Sequence, residues 1–400
     1  MTKRAAEDGD AAQAPGKKLK DDLAAFVAWM DARGFRLDAQ RLELRVDDTA
    51  DRIGLFAKVA LEDDAFLFHI PADAFLSPSN SSIAELLAGS ELSDWFPLIV
   101  ALMVELKLPS SKWRAYLDLL PDGLETPLFW SEEETKMLAG TDIAERIGGE
   151  QVQRDFDTIV APFMRAHGDV FREDVHTFQL FRLAGSIIMA YAFTDEESGE
   201  IKISPMADML NHVPDHNAQL FEQDMRTIRP VAAGEELFNT YGPLGNADLL
   251  RRYGFTVESN PHDFVALDLA PAVGERFAGD SPLARHRRKR LKGKTGIDLD
   301  DGDDLVLELD KDAVAEVDDE LYLIPAIALI DDVGAREVKP PSKADGARDM
   351  VRAAVDARLA AHVDVADLES RAGASSRMRN ALRVVQGERQ ILEQLKKALE

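Results

Sequence analysis

Polar and apolar positions alternate in several distinct rhythms along the chain. Leu23, Phe26, Val27 and Met30 recur at three- and four-residue steps before Gly34, which predicts an amphipathic helix with a glycine stop. Residues 53–57 (Ile-Gly-Leu-Phe-Ala) and 65–71 (Ala-Phe-Leu-Phe-His-Ile-Pro) are short apolar runs on either side of an acidic turn, and they read as two strands. Residues 81–194 return to helical spacing. It is clearest from Gln151, where Val152, Phe156, Ile159, Val160 and Phe163 fall on one face. Residues 201–255 are too densely broken by Pro205, Pro214, Pro230, Gly234, Gly242 and Pro243 to be helical, and 220–225 and 236–238 read as strands between turns. Pro340-Pro341-Ser342 reads as a linker. Beyond it, Met378, Leu382, Val385, Leu392, Leu395 and Leu399 predict a long amphipathic helix.

Composition narrows the class. With 46% hydrophobic and 30% charged residues, a chain of 400 residues can build a large core in two or three domains. No apolar run approaches the roughly 18–20 residues of a membrane span, so no membrane is expected as a partner. Residues 1–20 are polar and predict a disordered tail without a secretory signal. That tail carries Lys3-Arg4 and, after a twelve-residue gap, Lys17-Lys18-Leu19-Lys20. The arrangement resembles a bipartite import signal and places the chain in the nucleus, with the cytoplasm as a second location. The absence of cysteine removes disulfides, thiolate zinc sites and a cysteine nucleophile. A net charge of -26 argues against a general nucleic-acid surface. It favours encounter with a basic protein segment, although plain solubility explains it equally well. Residues 281–294 are strongly basic and read as an exposed charged helix or loop, a second import signal, or a counterweight to the acidic residues 298–304.

The candidate chemistry lies where polar residues interrupt apolar runs: Asp208, Asn211 and His212 in one place, Asn239 and Tyr241 in another. Asp208, His212 and His216 could offer oxygen and nitrogen ligands to a metal. Pro214 prevents the two histidines from sharing a helical face, and no further His or Cys follows nearby, so no metal is expected. Asn211 and His212 also serve as hydrogen-bonding turn residues on local chemistry alone. A third reading takes the motifs together.

Asp-x-x-Asn-His at 208–212, Asn-x-Tyr-Gly at 239–242 and Tyr-Gly-Phe at 253–255, in this order, resemble the C-terminal half of a SET domain. That is the fold of S-adenosylmethionine-dependent protein lysine methyltransferases. The chain is most similar to the zinc-free subfamily related to the plant Rubisco large-subunit lysine methyltransferase. Within it, the match is to the branch of SET-domain-containing protein six and the yeast ribosomal lysine methyltransferases. Further landmarks are Ser111-Lys112-Trp113-Arg114-Ala115-Tyr116-Leu117, Leu120-Pro121, Leu128-Phe129-Trp130, Leu138-Ala139-Gly140-Thr141, Met189-Ala190-Tyr191-Ala192-Phe193 and the stretch 381–392.

The resemblance implies an α+β chain. It implies a SET β fold over 21–262 with a helical insert at about 81–200 and a C-terminal segment threaded through a loop as a pseudoknot. An all-helical substrate-binding domain over 263–400 would replace the zinc module. The implied activity is N-methylation of a lysine in a protein, ribosomal or nuclear, with S-adenosyl-L-methionine as donor. Methyl transfer is an in-line displacement, so the amine must arrive neutral, opposite the leaving sulfur and shielded from water.

On this resemblance Tyr241 is catalytic, and Arg52, Ile53, Gly54, Tyr191, Asn211, His212 and Tyr253 hold the cofactor. Trp113, Ala192 and Thr194 meet the peptide, although aromatics such as Trp113 and Tyr191 serve equally well as core anchors. Two positions depart from the pattern: Arg52 stands for the first glycine of a Gly-x-Gly turn, and Ala192 for a serine. Transfer to histidine and a silent binding module of the same fold stay open as alternatives.

Overall fold

The computed structural model describes residues 15–47, 52–194, 199–311, 320–333, 346–373 and 375–399. Lys3-Arg4 and the expected linker at Pro340-Pro341-Ser342 lie outside the described residues. Two compact units divide the chain: residues 1–124 with 149–242, and residues 125–148 with 243–400. The segment expected to be catalytic, 21–262, is therefore shared between them.

The first unit holds two four-stranded sheets and a short strand pair. β1 (Arg36–Leu37), β4 (Phe66–His69), β9 (Asp224–Thr227) and β8 (Ala218–Phe221) form one sheet in the order β1-β4-β9-β8. β2 (Leu42–Asp47), β3 (Arg52–Ala57), β10 (Glu236–Asn239) and β7 (Asn211–His212) form the other in the order β2-β3-β10-β7. β10 runs antiparallel to β3 but parallel to β7, with Phe238 opposite Asn211 and Asn239 opposite His212. That parallel step brings two distant polar motifs side by side. β5 (Ala192–Thr194) and β6 (Ile201–Ile203) pair antiparallel. The run 220–225, expected as one strand, is a hairpin that turns at Glu222, whose φ is 55°. No glycine or proline marks that turn.

Helices back these sheets. Pro15–Ala32 begins earlier than expected, so residues 15–20 open a helix instead of belonging to a disordered tail. Its buried Leu23, Phe26 and Met30 follow the expected spacing, and the Phe26 ring lies 6.0 Å from Tyr116. Phe96–Lys107 is apolar on nearly every side and correspondingly buried. The helical run from Gly149 contains a five-residue π turn, Phe156–Val160. The wider turn rotates the following residues, so Ile159, expected on the buried face, points to solvent. Phe178–Tyr191 opens on Thr177, whose hydroxyl accepts from the Leu180 N–H, and buries Leu180, Phe181, Ala184, Ile187 and Ile188.

The second unit is mainly helical. Ser376–Ala398 opens on Ser375, which caps the Met378 N–H, and buries Val385, Leu392 and Leu395 as the spacing predicts. Trp130, Met137, Leu138 and Ile143 from the 125–148 segment share one core with Leu368, Ala381, Val384 and Val385. The expected all-helical region also contains a strand pair, β11 (Phe264–Asp268) with β12 (Val306–Asp310). Alternation explains it: Val265 and Leu267 are buried between more open neighbours. The basic stretch forms the helix Pro282–Thr295. Arg288 pairs with Asp280 and Asp300, Lys292 with Asp298, and Arg287 donates to the Ile330 carbonyl. Arg288 and Lys292 thus meet the acidic residues 298–304 directly, in line with the counterweight reading.

Candidate active site

Three strands of one sheet build the centre of the first unit. β3 carries Arg52, Ile53 and Gly54, β7 carries Asn211 and His212, and β10 begins with Glu236 and runs toward Tyr241. Glu236 is only 9% exposed, and a buried carboxylate needs partners. It has three bonds. Arg52 Nη1 and Nη2 donate to Oε1 and Oε2 at 2.5 and 2.7 Å, and Asn211 Nδ2 donates to Oε1 at 2.7 Å. The carboxylate raises the affinity of the Arg52 guanidinium for its proton. Asn211 Nδ2 also donates to the Ile53 carbonyl at 2.9 Å. Gly54 borders this cluster closely: a Cβ there would lie 2.7 Å from Glu236 Oε1.

His212 and Tyr241 form the next layer. Their rings stack with centroids 5.1 Å apart and planes 26° apart. His212 Nδ1 accepts from the Tyr241 backbone N–H at 3.0 Å, so that nitrogen is unprotonated and the tautomer is set. The Tyr241 hydroxyl donates to the Leu210 carbonyl at 3.1 Å. A hydroxyl engaged in that way offers its oxygen only as an acceptor.

The turn leading into Asn211 is strained. Met206 is fully buried with φ 83° and ψ -43°, a conformation that costs a non-glycine residue about 1–3 kcal/mol and persists only where packing enforces it. Asp208 follows, accepting a short hydrogen bond from the Tyr116 hydroxyl. Burial pushes the Asp208 carboxyl up to about 7, against the pull of that hydroxyl. Burial and the nearby Asp208 charge raise Tyr116 well above its usual range and Tyr191 to about 12. Both phenols stay neutral donors at physiological pH.

The structure thus gathers Arg52, Ile53, Gly54, Asn211, His212 and Tyr241 into one site, and the Asp208 charge acts on Tyr191. Ala192 is half-buried and Thr194 exposed on β5. Trp113, expected at a peptide cleft, is fully buried, with its indole N–H donating to the Ala74 carbonyl at 3.2 Å. Tyr253 ends the helix Asn246–Tyr253 of the second unit, with its ring 6.1 Å from Phe255. Asp208, His212 and His216 turn to different partners, and no set of metal-binding side chains occurs among the described residues. The Arg52–Glu236–Asn211 cluster and the Tyr116–Asp208 pair were not legible as partnerships in the sequence. The available signal was an acidic residue leading the apolar pair Leu237-Phe238, which needs a buried cation such as Arg52.

Residues 52–242 match the SET domain family. Among curated proteins the chain is 36% identical over 258 residues to N-lysine methyltransferase SETD6 of Rattus norvegicus, covering 59% of this chain and 54% of that protein. It is 35% identical over 276 residues to N-lysine methyltransferase setd6 of Salmo salar, covering 62% of this chain and 61% of that protein. The chain thus spans 54% and 61% of the length of these two relatives. Among solved structures, the SET domain of LSMT bound to lysine and AdoHcy superposes with a TM-score of 0.68 at 20% identity, covering 95% of this chain and 91% of that one. The likeness extends to the helical C-terminal region.

Proposed function

We propose that this chain is an S-adenosyl-L-methionine-dependent protein-lysine N-methyltransferase. The observation that carries the reading is the Asn211-His212-Tyr241 constellation inside the SET domain, with Tyr241 stacked on His212 and its hydroxyl tied to Leu210. The names of its SETD6 relatives support it, as does the lysine bound in the LSMT structure. The residues present suit the cofactor. Both amide bonds of Asn211 use Nδ2, so its oxygen is directed away from Ile53 and Glu236 and can accept from a ligand N–H or O–H.

When bound, the donor supplies an electrophilic methyl group. The chain's own residues supply position: Asn211 and His212 hold the donor, with Ile53 and Gly54 along the adjoining strand. Tyr241, acting as an acceptor, orients the incoming amine. The amine sheds its proton to water before transfer, so no side chain need act as a strong base. A basic segment around the target lysine fits the net charge of -26. Residence in the nucleus is part of the same proposal, supported by the basic pairs at residues 3–4 and 17–20; alanine at Lys17, Lys18 and Lys20 should shift a tagged chain to the cytoplasm.

Labelled methyl transfer from S-adenosylmethionine into a lysate tests the activity, with wild type and Tyr241→Phe side by side. Bands that vanish in the variant support the enzyme, and mass spectrometry of the product assigns lysine or histidine. No labelling by a wild type that binds the cofactor overturns the reading and favours a binding module.

A further inference from the structure

We infer that Glu236 is a positioning residue that sets the direction of the Asn211 amide, and that Arg52 and Gly54 exist at their positions to hold its carboxylate in place. The inference rests on the methyltransferase reading and extends it to residues that touch the site only through others.

The chemistry leaves one orientation for the amide. The Ile53 carbonyl and the Glu236 carboxylate are acceptors only, so both bonds demand the NH₂ group of Asn211 and turn its oxygen the other way. Without Glu236, the Ile53 carbonyl alone would hold the NH₂ group, and the side chain could rotate. The carboxylate is itself fixed by two parallel N–H donors from Arg52, a fork that sets its plane as well as its place. The arginine that breaks the glycine pattern thus has a partner on a neighbouring strand of the same sheet. Gly54 completes the set, because any Cβ would come within 2.7 Å of Oε1 and displace the oxygen that Asn211 uses. Arg52 therefore acts on the cofactor through Glu236, its charge already balanced by that carboxylate, and Gly54 makes room for the carboxylate.

Calorimetric binding of S-adenosylmethionine to the full chain tests this, with thermal unfolding of each variant run in parallel. Glu236→Ala should weaken binding by about tenfold, the loss of one charged hydrogen bond's worth of orientation. Glu236→Gln keeps the volume, but with its oxygen in the Oε1 position its NH₂ group faces Arg52 Nη2, two donors opposed, so the side chain is displaced and binding should also weaken. Adding Arg52→Gly to Glu236→Gln removes the opposed donor, leaves the amide oxygen to Asn211, and should restore affinity to within about threefold of wild type. A merely structural role would not show this rescue. If folded Glu236→Ala and Glu236→Gln bind as wild type does, or if Arg52→Gly fails to rescue Glu236→Gln, the inference is overturned and the methyltransferase reading survives. If the wild type binds no S-adenosylmethionine, the functional reading falls and takes the inference with it.

Discussion

Each compact unit contains a buried network around one guanidinium, and the two are built for different ends. In the first, Arg52 faces a single carboxylate, Glu236, and the charges balance. In the second, Arg358 faces two, Asp142 and Glu388. Glu388 also accepts from the Asp142 N–H at 2.9 Å and lies 3.1 Å from His362 Nε2, and Asp142 accepts from the Ala266 N–H at 2.7 Å. Exposure differs as well. The Arg52 side chain is 35% exposed and Asn211 is half-buried, whereas Asp142 and Glu388 side chains are 5% and 3% exposed. A balanced network open on one side can orient a neighbour toward a ligand. A sealed network with surplus negative charge staples segments together and shifts its own protonation: burial and the Glu388 charge raise Asp142 to about 7. The staple joins the 125–148 segment to the helices Ala347–Ala361 and Ser376–Ala398.

The comparison breaks most visibly at Glu388. Replacing it with alanine leaves the Asp142 N–H and His362 Nε2 without this acceptor while Arg358 keeps Asp142, and should cost about 1–3 kcal/mol, read as a lower urea midpoint. Tyr241→Phe should do the opposite, leaving the urea midpoint near wild type while, on the proposed methyltransferase function, lowering the transfer rate by about 10²–10³-fold through loss of one oriented oxygen. Gly140 sharpens the staple. Its φ is 80°, and a Cβ would sit 2.3 Å from the Ala361 backbone, so Gly140→Ala should cost more than about 1 kcal/mol in the same urea assay. A subtler test is pH. Asp208 and Asp142 have folded values raised to about 7 from about 4 unfolded, so the folded state binds the extra protons. Stability should be highest below about pH 4 with respect to these groups and decline as pH rises toward 7, by at most about 1.4 kcal/mol per unit for each. Urea titrations at stepped pH should show a shallower decline for Asp208→Asn.

Periodicity located most of what sequence can locate. The final helix, the strand at 53–57 and the polar triplet Asp208, Asn211 and His212 were visible because burial imposes a period on neighbours along the chain. Trp113 was less legible, since an aromatic residue looks the same in a core as in a cleft. Residue order also could not show that the hairpin turns at Glu222 or that a π turn would expose Ile159, because neither carries a distinguishing residue.

The identity and order of the motifs pointed to the class of fold and to Tyr241, Asn211 and His212, because those side chains are specified by the chemistry they meet. The partnership of Arg52 with Glu236, 184 positions apart, came from pairing β3 with β10, and the 246-residue link from Asp142 to Glu388 came from packing of the second unit. Such contacts depend on which strands and helices become neighbours, a choice made by the whole core and carried by no local run of residues.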